Sequence, residues 1–301
     1  MATILITGGS GLIGSALSKV LLAKGHRVHH LGRTVRQVDG IHTYRWDLRS
    51  GFVDPACLES VSHIVHLAGA GIADRPWTDR RVDELIESRT GSAHLLLRTV
   101  QAKKHPITAF VSAAGINYYG AITTDHVFTE TDAPGTDTIA RISTAWETAV
   151  DEWMPLTRVV KLRTPIVLAQ HGGAFPKLAM PVKFGLGAAL GSGDQWMPWV
   201  HLDDLVRIYE RVLFNSTMSG AYNVNTTDTV TNKVFLKTLA KAMGRPFFLP
   251  NVPGFLLRIA LGEMAELLLR GSRASNARLL GAEFQFQYPE LGPALENLMG
   301  T

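Results

Sequence analysis

Residues 3 to 14 read Thr-Ile-Leu-Ile-Thr-Gly-Gly-Ser-Gly-Leu-Ile-Gly. Ile4, Leu5 and Ile6 form a short apolar run rich in β-branched residues, the pattern of a strand buried on both faces of a parallel sheet. Glycines at 8, 9, 11 and 14 follow. After them Ile13, Leu17, Val20 and Leu21 recur at helical spacing, and Lys24-Gly25 closes the helix. Strand, glycine turn and helix in this order can bring a diphosphate within hydrogen-bond reach of backbone N–H groups, where a Cβ would obstruct it. Gly8 and Gly11 are expected to allow the tight turn and the close approach. Gly14 is expected to let the helix lie against the strand. The spacing is weak evidence alone and strong in this setting.

From this stretch the fold class extends along the chain. A second strand is expected over Arg27 to Leu31 and a third over Tyr44 to Leu48. Others are expected over His63 to Leu67, Ala109 to Ser112 and Thr157 to Arg163. Helical patterns separate them: Thr78 to Val100, broken by Pro106, and Ser143 to Trp153, stopped by Pro155. Alternating strands and helices predict an α/β architecture, a Rossmann-type doubly wound parallel sheet. From Ala169 the character changes, with many glycines and prolines over residues 172 to 199. A helix is expected from Asp203 to Leu213, a late strand over Ala221 to Val224, and a helix from Thr231 to Gly244. The remainder is expected to be mostly helical, with a short extended segment at Phe284-Gln285-Phe286. The predicted division is therefore residues 1–168 plus about 201–227 for the dinucleotide-binding domain. About 169–200 plus 228–301 would form a smaller, mostly helical C-terminal lobe over the substrate.

The composition narrows the function classes. The chain has 301 residues, 46% of them hydrophobic and 19% charged, which suits a globular protein with a sizeable core. Its net charge is +4. The dense basic spots, Arg80-Arg81 and Lys103-Lys104, are too short for a nucleic-acid footprint. The greasiest stretch, Phe255 to Leu269, carries Arg258, Glu263 and Glu266, so no membrane span and no membrane partner are expected. A single cysteine, Cys57, allows no internal disulfide. With a strand starting by residue 3 and no signal peptide ahead of it, a reducing, cytoplasmic location is expected. No metal-ligand cluster is evident.

Cofactor choice is read from the end of the second strand, Gly32-Arg33-Thr34. An acid there would hold a ribose 2′-hydroxyl; Arg33 suits a 2′-phosphate, so NADP(H) is favoured over NAD(H). The alternative for Arg33 is an ordinary surface arginine. Asp47 at the end of the third strand is either an acceptor for an adenine amino group or a turn residue.

The motifs Thr7-Gly8-x-x-Gly11-x-x-Gly14, Asp47-Leu48, Leu67-Ala68-Gly69 and Tyr119-Gly120 resemble the extended short-chain dehydrogenase/reductase superfamily, of the sugar-nucleotide epimerase type. Further stretches run across nearly the whole chain. They include Trp77-Thr78, Ser88-Arg89, Arg163-Thr164-x-Ile166-Val167-Leu168, Leu190-Gly191-Ser192-Gly193-x-Gln195-Trp196, Trp199-Val200-His201-x-Asp203-Asp204 and Leu261-Gly262-Glu263-Met264. These resemble its atypical branch, the "epimerase family protein" or NAD-dependent epimerase/dehydratase-like group. The resemblance implies a cofactor set of Gly8, Gly11, Leu12, Ile13, Gly14, Arg33, Asp47, Leu48, Leu67, Ala68, Gly69, Ser112 and Pro165. It also allows a homodimer through helices packed on the sheet.

Active members of the superfamily use a Ser, a Tyr and a Lys four residues after it, with a helper Asn. Here the Tyr and Lys positions align with Ile142 and Trp146, the Ser position with Ala114 and the Asn position with Ser88; no Tyr-x-x-x-Lys occurs in the chain. The substitute proton donors are Tyr118, Tyr119 and His201. Each has a packing alternative, a packed aromatic for the tyrosines and a helix start for His201. Glu147 reads as solvated unless buried. Arg163 would hold an anionic group or a structural ion pair, and Gln195, Trp196 and Trp199 are candidates to face a small-molecule substrate. The expected activity is an NADP(H)-linked oxidoreductase or epimerase-like reaction on a small carbonyl or alcohol. The alternative is a non-catalytic NADP(H)-binding sensor or interaction protein.

Overall fold

A computed structural model describes residues 1–300, and every count and absence below refers to those residues. The strands are β1 (Thr3–Thr7), β2 (Arg27–Gly32), β3 (Arg36–Val38), β4 (Ile41–Asp47), β5 (Phe52–Val53), β6 (Val61–His66), β7 (Ala109–Gly115), β8 (Val127–Phe128), β9 (Arg158–Thr164), β10 (Ile166–Leu168), β11 (Trp199–His201), β12 (Gly220–Asn223) and β13 (Arg273–Ala274). The helices are α1 (Leu12–Ala23), α2 (Asp79–Lys103), α3 (Thr138–Asp151), α4 (Phe175–Lys183), α5 (Leu202–Phe214), α6 (Asn232–Ala242), α7 (Gly254–Leu261), α8 (Glu266–Leu269), α9 (Ala277–Gly281) and α10 (Leu291–Met299).

The main sheet runs β12-β9-β7-β6-β1-β2-β4-β3 and is parallel except for β3, with β5 attached antiparallel to β4. It is the doubly wound sheet that the sequence predicts. The short antiparallel edge β3–β4 was not foreseen, because Arg36–Val38 is too short and too polar to show a pattern. Period-two burial divides the core between the two faces. Ile4 and Ile6 pack with Leu17, Leu21 and the α5 residues Leu205, Ile208 and Val212. Leu5 and Ile64 face the other way, with Leu96, Phe110 and Trp153. Helices α1 and α5 therefore cover one face, and α2 and α3 the other.

Helix ends follow local chemistry. Thr78, Asp137 and Thr231 each accept a first-turn N–H at the start of α2, α3 and α6. Lys104 ends α2 in the left-handed region at φ 48°. The expected extended segment at Phe284–Phe286 forms no strand. Instead Phe284 is buried with Leu279, while Asp204 accepts the N–H groups of Gln287 and Tyr288 just beyond.

The C-terminal lobe has its own core. Leu168, Phe175, Val182, Trp199, Phe235, Leu239, Leu291 and Leu295 belong to it, and β10 pairs with β11 at its root. The lobe thus gathers residues 166–201 with α6 and α10. It crosses back to the sheet through α5 and β12.

At the turn after β1, Gly8 has φ +68° and a Cβ there would lie 2.8 Å from the Leu67 carbonyl oxygen. A Cβ on Gly14 would lie 2.5 Å from the Gly8 carbonyl oxygen. Gly9 has a different reason: its missing side chain leaves room for the buried His30 ring. We expect Gly9→Ala to cost about 1–3 kcal/mol in urea unfolding through overpacking. In a His30→Ala background much of that cost should disappear; strict additivity of the two changes would show that the ring is not what Gly9 accommodates.

Candidate functional site

Order reversal in the sheet places β2 and β6 on opposite sides of β1, and a crevice opens at their carboxyl ends. The glycine turn, the Leu67–Gly69 loop and the end of β2 meet there. Gly11, Leu12, Ile13, Leu67, Ala68 and Gly69 are half-buried or exposed, so the crevice is open. Gly11 begins α1 without a side-chain cap, and the first turn carries no acid. Its leading N–H groups therefore face the crevice without intrahelical partners, a suitable seat for a diphosphate. Gly11 itself has only the Gly8 carbonyl near its Cβ position, at 3.2 Å. On the far side Gly172 and Gly173 lie where a Cβ would meet the Leu12 side chain, at 3.6 and 3.1 Å.

A buried hydrogen-bond chain shapes this crevice. The Thr7 hydroxyl accepts the Leu67 and Ala68 N–H groups, both at 3.1 Å, and lies 2.9 Å from His66 Nδ1. With both lone pairs engaged, Thr7 must donate to Nδ1. The proton on neutral His66 is then on Nε2, donated to Ser92 Oγ at 3.2 Å, and Ser92 donates onward to the Ser88 or Arg89 carbonyl. Burial holds the His66 pKa down, to about 4. Thr7 was noted in the sequence only as the start of the glycine motif, and His66 did not stand out, since a lone histidine in an apolar strand carries no signal.

Arg33 is exposed at the end of β2, and no described side chain pairs with its guanidinium. Asp47 accepts the Arg49 N–H at 3.0 Å as a turn residue would, and this bond holds its carboxyl below the usual range. Leu48 packs against the core beside Leu67 and Ala68. Ser112 is fully buried and donates to the Ala113 carbonyl, while Pro165 lies buried between β9 and β10.

The positions aligned with the superfamily's Tyr and Lys are apolar and filled. Ile142 is buried against Val82 and Leu85, with Ala70, Ile72 and Trp77 beside them. Trp146 lies under the Arg89 guanidinium, 4.9 Å from its ring centroid. Arg89 is itself buried, donating to the Leu85 and Ala70 carbonyls and lying beside Gly69; burial lowers its pKa to about 10.

Beyond β7 the candidates separate. Tyr119 is buried. Its hydroxyl accepts from Arg163 at 2.8 Å and has Asn223 Oδ1 and the Thr129 carbonyl within donating distance. Burial, against the pull of Arg163, pushes its pKa up to about 12. It is a structural group and drops out as a proton donor. Arg163 forms a buried, two-pronged ion pair with Glu147, at 2.7 and 3.0 Å, so of its two alternatives the ion pair is the one realised. Burial works to lower the Arg163 pKa, but Glu147 outweighs it and the guanidinium stays charged. Glu147 is not solvated: it also meets Lys161, which Asp151 shares. Tyr118 differs from its neighbour. It is half-buried at the end of β7 and its ring lies 3.6 Å from the Arg163 guanidinium carbon.

The remaining candidates are held by structure. His201 is buried and caps α5 by accepting the Asp203 N–H, so the cap is the histidine, while Asp204 turns to Arg207 and the 287–288 backbone. Burial lowers the His201 pKa, with Asp203 and Asp204 opposing. Trp199 is fully buried in the lobe core and cannot stack on a ligand. Gln195 is buried too, donating to the Leu190 and Leu268 carbonyls. Trp196 donates to the Thr124 carbonyl and carries Arg273 on its face, 5.0 Å from the ring centre. Cavities lie where the lobe meets the loop after β7 and the start of α3. One, of about 370 Å³, is lined by Thr123, Ser192, Arg258 and Arg270; another, of about 240 Å³, by Trp77, Asp137, Thr138 and Glu263.

Residues 4–225 match the model of the NAD dependent epimerase/dehydratase family, and residues 252–298 match a domain of unknown function, DUF1731. The mouse epimerase family protein SDR39U1 is 33% identical over 98% of this chain and 99% of its own length. Epimerase family protein Mb2239 of Mycobacterium bovis is 36% identical over 98% and 96%. The crystal structure of human SDR39U1 (isoform 2) with NADPH superposes with a TM-score of 0.87 at 31% identity, covering 99% of both chains.

The His66 chain makes stability depend on pH. Its folded pKa of about 4 lies below the ordinary 6.5, so the unfolded chain binds the proton more readily. The contribution, about 3 kcal/mol, is fully present above pH 6.5 and is lost as pH falls toward 4. We expect urea midpoints to fall from pH 7.5 to pH 5 and the slope to flatten in His66→Asn; equal slopes in the two proteins would refute the assignment.

Proposed function

Because the chain belongs to the NAD dependent epimerase/dehydratase family, we propose that it binds NADP(H) in the crevice beyond β1 and acts as an oxidoreductase or epimerase-like enzyme on a small carbonyl or alcohol. One observation carries the cofactor choice: the guanidinium at the end of β2 is unpaired and no acid takes the place where a ribose 2′-hydroxyl would be held. The NADPH in the human relative's structure supports the same reading. The diphosphate would meet the open N–H groups of α1, and Gly11 leaves the approach free. Bound NADPH would supply a hydride to a carbonyl carbon.

Tyr118 is the group we assign to the proton. It follows the strand β7, and its half-exposed ring lies on the Arg163 guanidinium. As a carbonyl becomes an alkoxide, the phenol gives its proton to that oxygen. The guanidinium under the ring stabilises the phenolate left behind, and solvent restores the proton. Glu147 keeps the guanidinium in place and charged. The cation that the superfamily carries on a helix as lysine would here come from β9. Arg163 touches no reacting atom in this scheme and is a positioning residue.

The sensor reading has its own support: Ile142 and Trp146 fill the usual acid–base positions with apolar side chains. Calorimetry separates the questions. NADPH is expected to bind, and Arg33→Ala to weaken it at least about tenfold, or about 1.4 kcal/mol, with NADH affinity unchanged. A failure of NADPH to bind the intact protein would remove both readings. Across a panel of carbonyl compounds and nucleotide sugars, Tyr118→Phe is expected to lower turnover by about 10²- to 10⁴-fold with NADPH affinity retained. No turnover by the unaltered protein, with NADPH bound, selects the sensor.

A further inference from the structure

The outer face of the C-terminal lobe is unlike the rest of the surface. Phe184, Leu186, Phe248, Phe255 and Ile259 are each between 60% and 79% exposed. Helix α7 (Gly254–Leu261) buries none of its residues, although six of its eight are apolar. The elements that carry these side chains are joined. The 184–190 segment and the 246–252 segment run side by side, linked by a parallel bridge between Leu190 and Val252, and Gly187 lies against Phe247. Helix α7 starts two residues after that bridge.

Charge on these elements has one sign. Residues 175–196 and 231–261 contain seven lysines and arginines and one acid, Asp194. Helix α6 turns Phe235, Leu236 and Leu239 inward and exposes Lys233, Lys237 and Lys241, which recur every four residues as one stripe. Lys183 stands beside Phe184, and Arg245 three residues before Phe248. The two acids nearest to α7 in the chain are engaged elsewhere. Glu263 bonds Thr138, and Glu266 is shared by Arg258 at 2.9 Å and Arg270 at 3.0 Å.

From this pairing of bare phenylalanine and isoleucine side chains with exposed lysines we infer that the outer face of the lobe docks on an anionic lipid bilayer. The aromatic and aliphatic side chains enter the headgroup boundary and the basic stripe meets the lipid charge. Among the described residues no helix is long and apolar enough to cross a membrane, and none is needed: the contact lies on the surface. Hydropathy along the sequence misses it because the apolar side chains come from three separate segments. The crevice beyond β1 and its ligands take no part in the argument.

Vesicle co-sedimentation tests it. The full-length protein is expected to sediment with phosphatidylcholine–phosphatidylglycerol vesicles and only weakly with pure phosphatidylcholine, and to be released between about 0.1 M and about 1 M salt. The charge variant Lys237→Glu/Lys241→Glu/Arg245→Glu should bind at least about tenfold more weakly. The apolar variant Phe248→Ser/Phe255→Ser/Ile259→Ser should lose the same vesicles. These changes are at exposed positions, and unchanged thermal unfolding midpoints verify that the variants fold. Undiminished sedimentation of both variants, or none by the unaltered protein, overturns the inference. So does a dimer by light scattering that the apolar variant dissolves while neither protein binds vesicles, which would make the face an interface between copies of this chain.

Discussion

The chain's organisation depends on one close approach of backbone to backbone. The carbonyl of Gly8 lies where a Cβ on Gly14 would stand, and the carbonyl of Leu67 where one on Gly8 would stand. With those contacts α1 can start directly over the end of β1, with its leading N–H groups open to the crevice. The Thr7 hydroxyl ties the same point to β6 by gathering two N–H groups from the next loop. Sheet order, helix placement and the shape of the crevice are thus set at the junction of two strand ends.

Much of this was legible in the sequence because it is local. Ile4 to Ile6 and the glycines that follow state their own geometry, and Thr78 and Thr231 mark helix starts that the structure has at those residues. The chemistry beyond β7 was less legible. Arg163 and Glu147 are sixteen residues apart and belong to different elements, so no spacing rule pairs them; only the packing of α3 on β9 does. Tyr118 and Tyr119 are adjacent and identical in type. One is consumed by three hydrogen-bonding partners and the other lies on a cation, a difference that sequence does not encode locally. His201 was readable as part of a helix start, but not as the cap itself.

Two buried polar groupings here are compensated internally. Glu147 stands between Arg163 and Lys161, and Asp151 balances Lys161. His66 is satisfied at both nitrogens by hydroxyls. Such sets are costly to leave half made, so each holds its elements in one register. The α3–β9 set also stands directly behind the Tyr118 ring. The ion pair that fixes α3 on β9 therefore also holds the cation on which that ring lies.

The stacking of Arg89 on Trp146 bears on what position 146 can hold. A lysine at position 146 would meet a guanidinium already buried beside Gly69 and bonded to two carbonyls, with little water to separate the charges. A lysine there would be tolerated only if position 89 gave up its charge. Losing Arg89 first would leave the Ala70 and Leu85 carbonyls without that donor. Either change made alone is expected to give a less stable protein. Positions 89 and 146 are thus coupled: the charge that one can carry is set by what the other already holds.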